Sequence, residues 1–165
     1  MYTLIDLRRL ALRVAERLRF LPALATRLGL GIVFVQSGWG KLHDLDKVID
    51  FFRSLGIPFP ELQAPFVASV ELVCGALLLV GLATRLSSLL LTCTMVVAIL
   101  TAILPDVEGI GDFFGHIEPL YVLLFLYLAV YGGGALSLDA ILARRLDAID
   151  ALDQPVPGDA RPARA

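Results

Sequence analysis

The chain has 165 residues, of which 58% are hydrophobic and only 18% charged, and its mean hydropathy is +0.80. Soluble domains are about 45–50% apolar and about a quarter charged, so this composition excludes an ordinary soluble domain and points to a membrane protein, while the length allows a single domain. The net charge of −2 hides a segregation of charges along the chain, and no basic stripe with interleaved aromatics appears, which argues against a nucleic-acid partner.

Residues 4–18 place Leu4, Leu7, Leu10, Ala11, Val14 and Leu18 on one helical stripe, with Arg8, Arg9, Arg13 and Arg17 opposite. That is an amphipathic basic helix over residues 1–20, suited to an anionic membrane surface. A signal peptide has a short charged start followed by an apolar stretch, whereas here arginines continue to Arg19. Four apolar spans follow, about 21–42, 65–82, 86–104 and 119–138. A crossing needs about 20 residues at about 1.5 Å each, so all four are read as long enough. The expected fold is all-α, an antiparallel four-helix transmembrane bundle over 21–138. Arg27, near the start of the first span, is expected to snorkel to an interface. The loop "HDLDKVIDFFRSLGIPFP" reads as a short helix with Leu45, Val48, Ile49, Phe52 and Leu55 on one face, stopped by Gly56 and Pro58 and packed across one mouth of the bundle. Residues 139–165 form a tail whose Pro-rich end, "DQPVPGDARPARA", is expected to be disordered.

All but three of the 14 Lys and Arg residues fall before or at the start of span one, in the loop between spans two and three (Arg85), or after span four. The exceptions are Lys41, Lys47 and Arg53, and the loop "PDVEGIGDFFGHIE" has no basic residue. The positive-inside rule therefore places both termini in the cytoplasm.

Counting depth along the helices brings separate regions to one layer on the outer side. Glu71 lies six residues into span two. Gln36 and Ser37 lie five or six residues from the end of span one, with Lys41 above them. His43 and, at the start of span four, His116, Glu118 and Tyr121 join the layer. A charged group in hydrocarbon costs about 2.5–3.5 kcal/mol on insertion scales and usually faces the bundle interior with a partner. Glu71 is thus expected to point inward, either protonated or bonded to Lys41 or Gln36. It is a proton-handling group or the floor of a small pocket on one reading, and a polar staple fixing helix register on the other. His43 and His116 share no ligand spacing, so no metal site is assigned.

Cys74 and Cys93 sit at matching depth on consecutive antiparallel spans and would be neighbours if their faces agree; the expected role of both is packing. Ala25 with Gly29, and Gly31, Gly75 and Gly81, are candidates for close helix contact.

"SGWGKL" (37–42), "FFRSLGIPFPEL" (51–62), "VELVCGALLLVGLATRL" (70–86) and "GGGALSLD" (132–139) resemble the bacterial DoxX family, over about residues 24–142. The resemblance implies a four-span protein of the bacterial inner membrane, with the family pattern falling on Gly38, Lys41, Glu71 and Gly75; Gly132–Gly134 stand where the family usually has Gly-Pro-Gly. It also implies a redox-associated membrane subunit, with a quinone as cofactor or a soluble or membrane oxidoreductase as partner besides the lipid bilayer. A non-enzymatic anchor or assembly factor docking through the basic N-terminal helix is the alternative, and a small proton-coupled transporter ranks last, since the spans lack broken or repeated helices. No nucleophile–base pair or phosphate loop is visible, so no reaction is assigned, and oligomeric state is left open.

Overall fold

The computed structural model describes residues 2–153. The expected disorder of the last residues, and Arg161 and Arg164, lie outside that range. The chain is all-helical among the described residues: α1 (Tyr2–Leu18), α2 (Leu21–His43), α3 (Leu45–Ser54), α4 (Pro60–Val80), α5 (Thr84–Ala98), α6 (Ile110–Phe113), α7 (Ile117–Tyr131) and α8 (Leu138–Asp153). One π-turn (Ile99–Ile103) and a 3-10 turn (Leu104–Asp106) extend α5. α2, α4, α5 and α7 pack in order around a ring, α2 closing onto α7, and the tight turn between Val80 and Thr84 makes α4 and α5 antiparallel.

Their cores interlock through Leu30, Phe34, Cys74, Leu78, Leu91, Met95, Phe125 and Leu128. Outward faces are apolar as well, as at Ile32, Leu89 and Leu123. A helix that is apolar all round belongs in lipid or in a large core, and a domain of this size has no such core.

Small residues set the α2–α4 contact. A methyl on Gly38 would sit 2.4 Å from the Leu72 amide nitrogen, and one on Gly75 would sit 2.7 Å from the Val35 nitrogen. Gly31 faces Gly75 and Leu79 in the same way, so α2 positions fall as α4 positions rise, as antiparallel helices require. Backbone rather than side chain lies across the gap at Gly38 and Gly75, so nothing there can rotate away. Gly75→Ala is therefore expected to destabilise by about 2 kcal/mol, the usual cost of overpacking, read as a lower Tm of the detergent-solubilised protein. Gly29 does not take part as expected: a methyl there meets nothing within 4 Å, and Ala25 beside it on the helix is exposed. The buried stripe of α2 instead runs through Ala23, Arg27, Leu30, Phe34 and Gly38.

Helix ends follow the glycines. α3 stops at Gly56 (φ 71°), with Ile57 N donating to Phe52 O at 3.0 Å. α4 stops at Gly81 (φ 72°), with Leu82 N donating to Leu77 O at 3.0 Å. Both are left-handed caps that glycine adopts without Cβ strain.

Two span boundaries differ from expectation. α4 starts at Pro60, five residues before Pro65, so its first turn reaches the loop helix. α7 ends at Tyr131 rather than near 138, because Gly132 (φ 76°) turns the backbone out of the helix. At 15 residues α7 is only about 22 Å long, short of the roughly 30 Å hydrocarbon core. Three helices are long and apolar enough to cross unaided, and α7 is a shorter apolar one.

Candidate functional site

Glu71 lies on the buried face of α4 with Ala64, Ala68, Cys74 and Leu78 and is 1% exposed. Its two carboxylate oxygens are both engaged from α2: Lys41 Nζ donates to Oε1 at 2.5 Å and Ser37 Oγ donates to Oε2 at 2.8 Å. Ser37 and Lys41 are four residues apart, one helical turn, so a single α2 face supplies both donors. The close approach at Gly38, between them, brings that face near enough to reach.

This trio lines a cavity of about 640 Å³ at the α3 end of the bundle. Phe34 lies in its wall and stacks edge-on against Tyr121 and Phe125, at ring-centroid separations of 5.3 and 4.9 Å. Val48, Phe51, Phe52 and Leu55 of the α3 segment cover one side. α3 holds the face expected of it: Leu45, Val48, Ile49, Phe52 and Leu55 are half-buried while the intervening residues are exposed. Arg53 ties α3 to α4, donating to Asp50 at 2.6 Å and to Glu61 at 2.8 Å. The Arg53 guanidinium, bonded to Glu61, is held above its usual pKa.

The polar layer read from the sequence is only partly assembled. Ser37, Lys41, Glu71, Glu118 and Tyr121 all line the cavity. Among the described residues Glu118 and Tyr121 make no hydrogen bond to the trio. Gln36 points the other way and is exposed; it sits about 100° around α2 from Ser37, on the lipid-facing side. His116 caps the start of α7 and is exposed, outside the cavity. His43 is exposed too, its Nδ1 2.9 Å from Trp39 O and its ring against Trp39.

The opposite cavity wall is not part of the layer read from the sequence. Thr94, Ala98 and Thr101 of α5 and its π-turn line it, as does Cys93. Their spacing of four and three residues is a helical stripe, a signal present in the sequence. Thr94 and Thr101 hydroxyls donate to Leu91 O and Val97 O, so they are satisfied within the helix and leave the wall largely apolar. A π-turn in such a wall is a common feature of functional sites. Cys74 is buried in the core while Cys93 is exposed on the cavity side, so the two faces disagree and both thiols are free.

Arg27 corrects a second expectation. It does not snorkel; it is 3% exposed at the other end of the bundle. Nη2 donates to Leu136 O at 3.0 Å and Nη1 to Gly133 O at 3.4 Å. Nearby, Asp139 accepts from Ala83 N at 2.7 Å and Thr84 N at 2.9 Å, capping α5 from a segment far along the chain. The loop after α7 is thus bolted to the α4–α5 turn.

Residues 23–104 match the protein family DoxX. The chain is 36% identical over 118 residues to the putative oxidoreductase CatD of Bacillus subtilis, covering 70% of this chain and 83% of that protein. It is 34% identical over 136 residues to the uncharacterized membrane protein Rv3486 of Mycobacterium tuberculosis, covering 76% and 83%. It is 28% identical over 133 residues to the inner membrane protein YqjF of Escherichia coli, covering 79% and 98%. No solved structure matches it. Matched in this way by the family and along most of the length of each of these relatives, the chain belongs to the DoxX family of membrane proteins.

Proposed function

We propose that this DoxX-family protein is a redox-associated membrane subunit whose cavity holds a quinone head group. The observation that supports it most is the buried Glu71 held by Lys41 and Ser37 in a largely apolar cavity. Ligand sites are largely apolar with a few placed polar groups, and a quinone has that complementarity: a flat apolar ring with carbonyl acceptors. Lys41 spends one of its three N–H donors on Glu71 and has others to give. Tyr121 adds a hydroxyl in the same cavity. Glu71, engaged by two donors, fixes where Lys41 sits and can hold a proton at its carboxylate. Bound there, a quinone would supply a two-electron carrier to a partner oxidoreductase, a role in keeping with the name of the Bacillus relative.

The protein crosses the membrane several times, like relatives named as inner membrane proteins. By the positive-inside rule the arginine-bearing end faces the cytoplasm, so both termini lie there and the Glu71 cavity opens toward the outer side. α1 and α8 would then lie at the inner surface, where an oxidoreductase could dock.

The test is organic extraction of the protein purified from membranes, with quinone quantified per polypeptide. The wild type should carry quinone, and Glu71→Gln should carry at least fivefold less at unchanged Tm. Quinone-free wild type, with no binding of added menaquinone or ubiquinone, would sink the reading.

A further inference from the structure

A second concavity lies at the opposite end of the bundle from Glu71. It is a groove of about 650 Å³ between the start of α5, the loop after α7 and the start of α8. Its wall carries Thr84, Arg85, Gly132, Gly133, Gly134 and Asp139.

Several donors here lack partners. The Thr84 hydroxyl is buried and bonds nothing among the described residues, whereas Thr92 and Thr94 further along α5 donate to carbonyls three or four residues back. The N–H groups of Gly133 and Gly134 find no backbone acceptor among the described residues. Gly132 and Gly134 take φ of 76° and 77°, which opens the loop backbone. Arg85 is exposed, makes no ion pair among the described residues, and sits over Gly132, its Nε 3.5 Å from where a methyl there would stand. The acidic residue of the groove, Asp139, is already spent on the Ala83 and Thr84 amides. The remaining donors are of the backbone, hydroxyl and guanidinium types that bind anions.

The surroundings indicate which anion. α1 and α8 flank this end of the chain and leave Leu4, Leu7, Leu10, Ile141, Leu142 and Ile149 exposed. α1 is net basic, with Arg8, Arg9, Arg13 and Arg17 against Asp6 and Glu16, whereas α8 sets Arg144 and Arg145 among four aspartates. A basic amphipathic helix such as α1 lies in the headgroup layer and concentrates anionic lipid. We propose that the groove binds a phosphate group, presented by the headgroup of an anionic phospholipid, with Arg85 and the Thr84 hydroxyl as its side-chain donors.

Native mass spectrometry of the detergent-purified full chain, titrated with phosphatidylglycerol, tests this. Wild type should hold one lipid preferentially. Arg85→Gln should bind it about tenfold more weakly, the loss of one charge-assisted contact, and Arg85→Lys should lie between. Lys47→Gln, the same charge change on α3 at the other end of the bundle, should leave binding within twofold. Inorganic phosphate added as competitor separates the sources: displacement from wild type at millimolar concentration makes free phosphate the ligand, and no displacement makes it the lipid. Equal lipid binding by Arg85→Gln and wild type, at equal Tm, overturns the proposal.

Discussion

Lys41→Met will destabilise the protein by about 2–3 kcal/mol, Glu71→Leu by no more than about 1 kcal/mol, and the double substitution by about as much as Glu71→Leu alone. The asymmetry comes from burial. The Lys41 side chain is 32% exposed and Glu71 only 1%. Without Glu71, the ammonium swings out and hydrates. Without Lys41, a carboxylate stays inside the bundle with Ser37 as its remaining donor, and an unpaired buried charge is what makes breaking such a pair costly. Once position 71 carries leucine, removing Lys41 removes nothing the structure needs, so the pair is strongly coupled. Denaturation in mild detergent, followed by tryptophan fluorescence of Trp39, measures all four corners of the cycle. The same variants separate the two readings of the carboxylate. A polar staple predicts that the stable double variant behaves as wild type. A ligand site predicts that it folds, keeps its Tm within a few degrees of Glu71→Leu, and carries no quinone. Additive single and double effects would mean that Lys41 and Glu71 do not act as a pair.

Depth along a helix is readable from the sequence, and direction around it less so. Counting residues from span ends puts Glu71, Lys41 and Ser37 at one level because rise per residue is nearly constant. The same count puts Gln36 there, yet one residue is about 100° of rotation, enough to turn it out to lipid. The face of α3 is readable because its short amphipathic pattern admits one buried side. α2, α4 and α5 are apolar all round, so hydropathy does not say which side packs. That is why the α5 stripe of Thr94, Ala98 and Thr101 does not announce itself as a cavity wall, and why the sequence names Gly31 and Gly75 as contact candidates together with Gly29, which the fold leaves out. The sequence reading overruns the end of α7 because Gly132–Gly134 pass as apolar continuation, whereas their backbone freedom is what stops the helix. It misplaces Arg27 because the acceptors of that side chain are more than 100 residues away in sequence.

Arg27→Met is expected to cost about 3 kcal/mol, and Gly81→Ala a comparable amount, but the two together should cost much less than their sum. Both act on one contact. A methyl on Gly81 would stand 1.9 Å from Arg27 Nη1, and the φ of 72° already strains any residue with a Cβ there. Gly81→Ala therefore pushes the guanidinium away from Gly133 O and Leu136 O, and Arg27→Met removes it. Either way two carbonyls at the end of the bundle lose a charged donor, and the loop from Gly132 to Ser137 is released from α2. Methionine keeps most of the side-chain volume and takes the guanidinium out of the space over Gly81. In the double variant the backbone strain at position 81, the close approach of its methyl to Ser137 Cβ and the unsatisfied carbonyls remain, and the steric clash with the guanidinium is gone. The sign that the loss lies in this loop is local: Asp139 would still cap α5 through Ala83 and Thr84, so hydrogen exchange should rise in residues 132–137 well before it rises in α5. Exchange rising equally across the whole bundle would show instead that Arg27 supports the core directly.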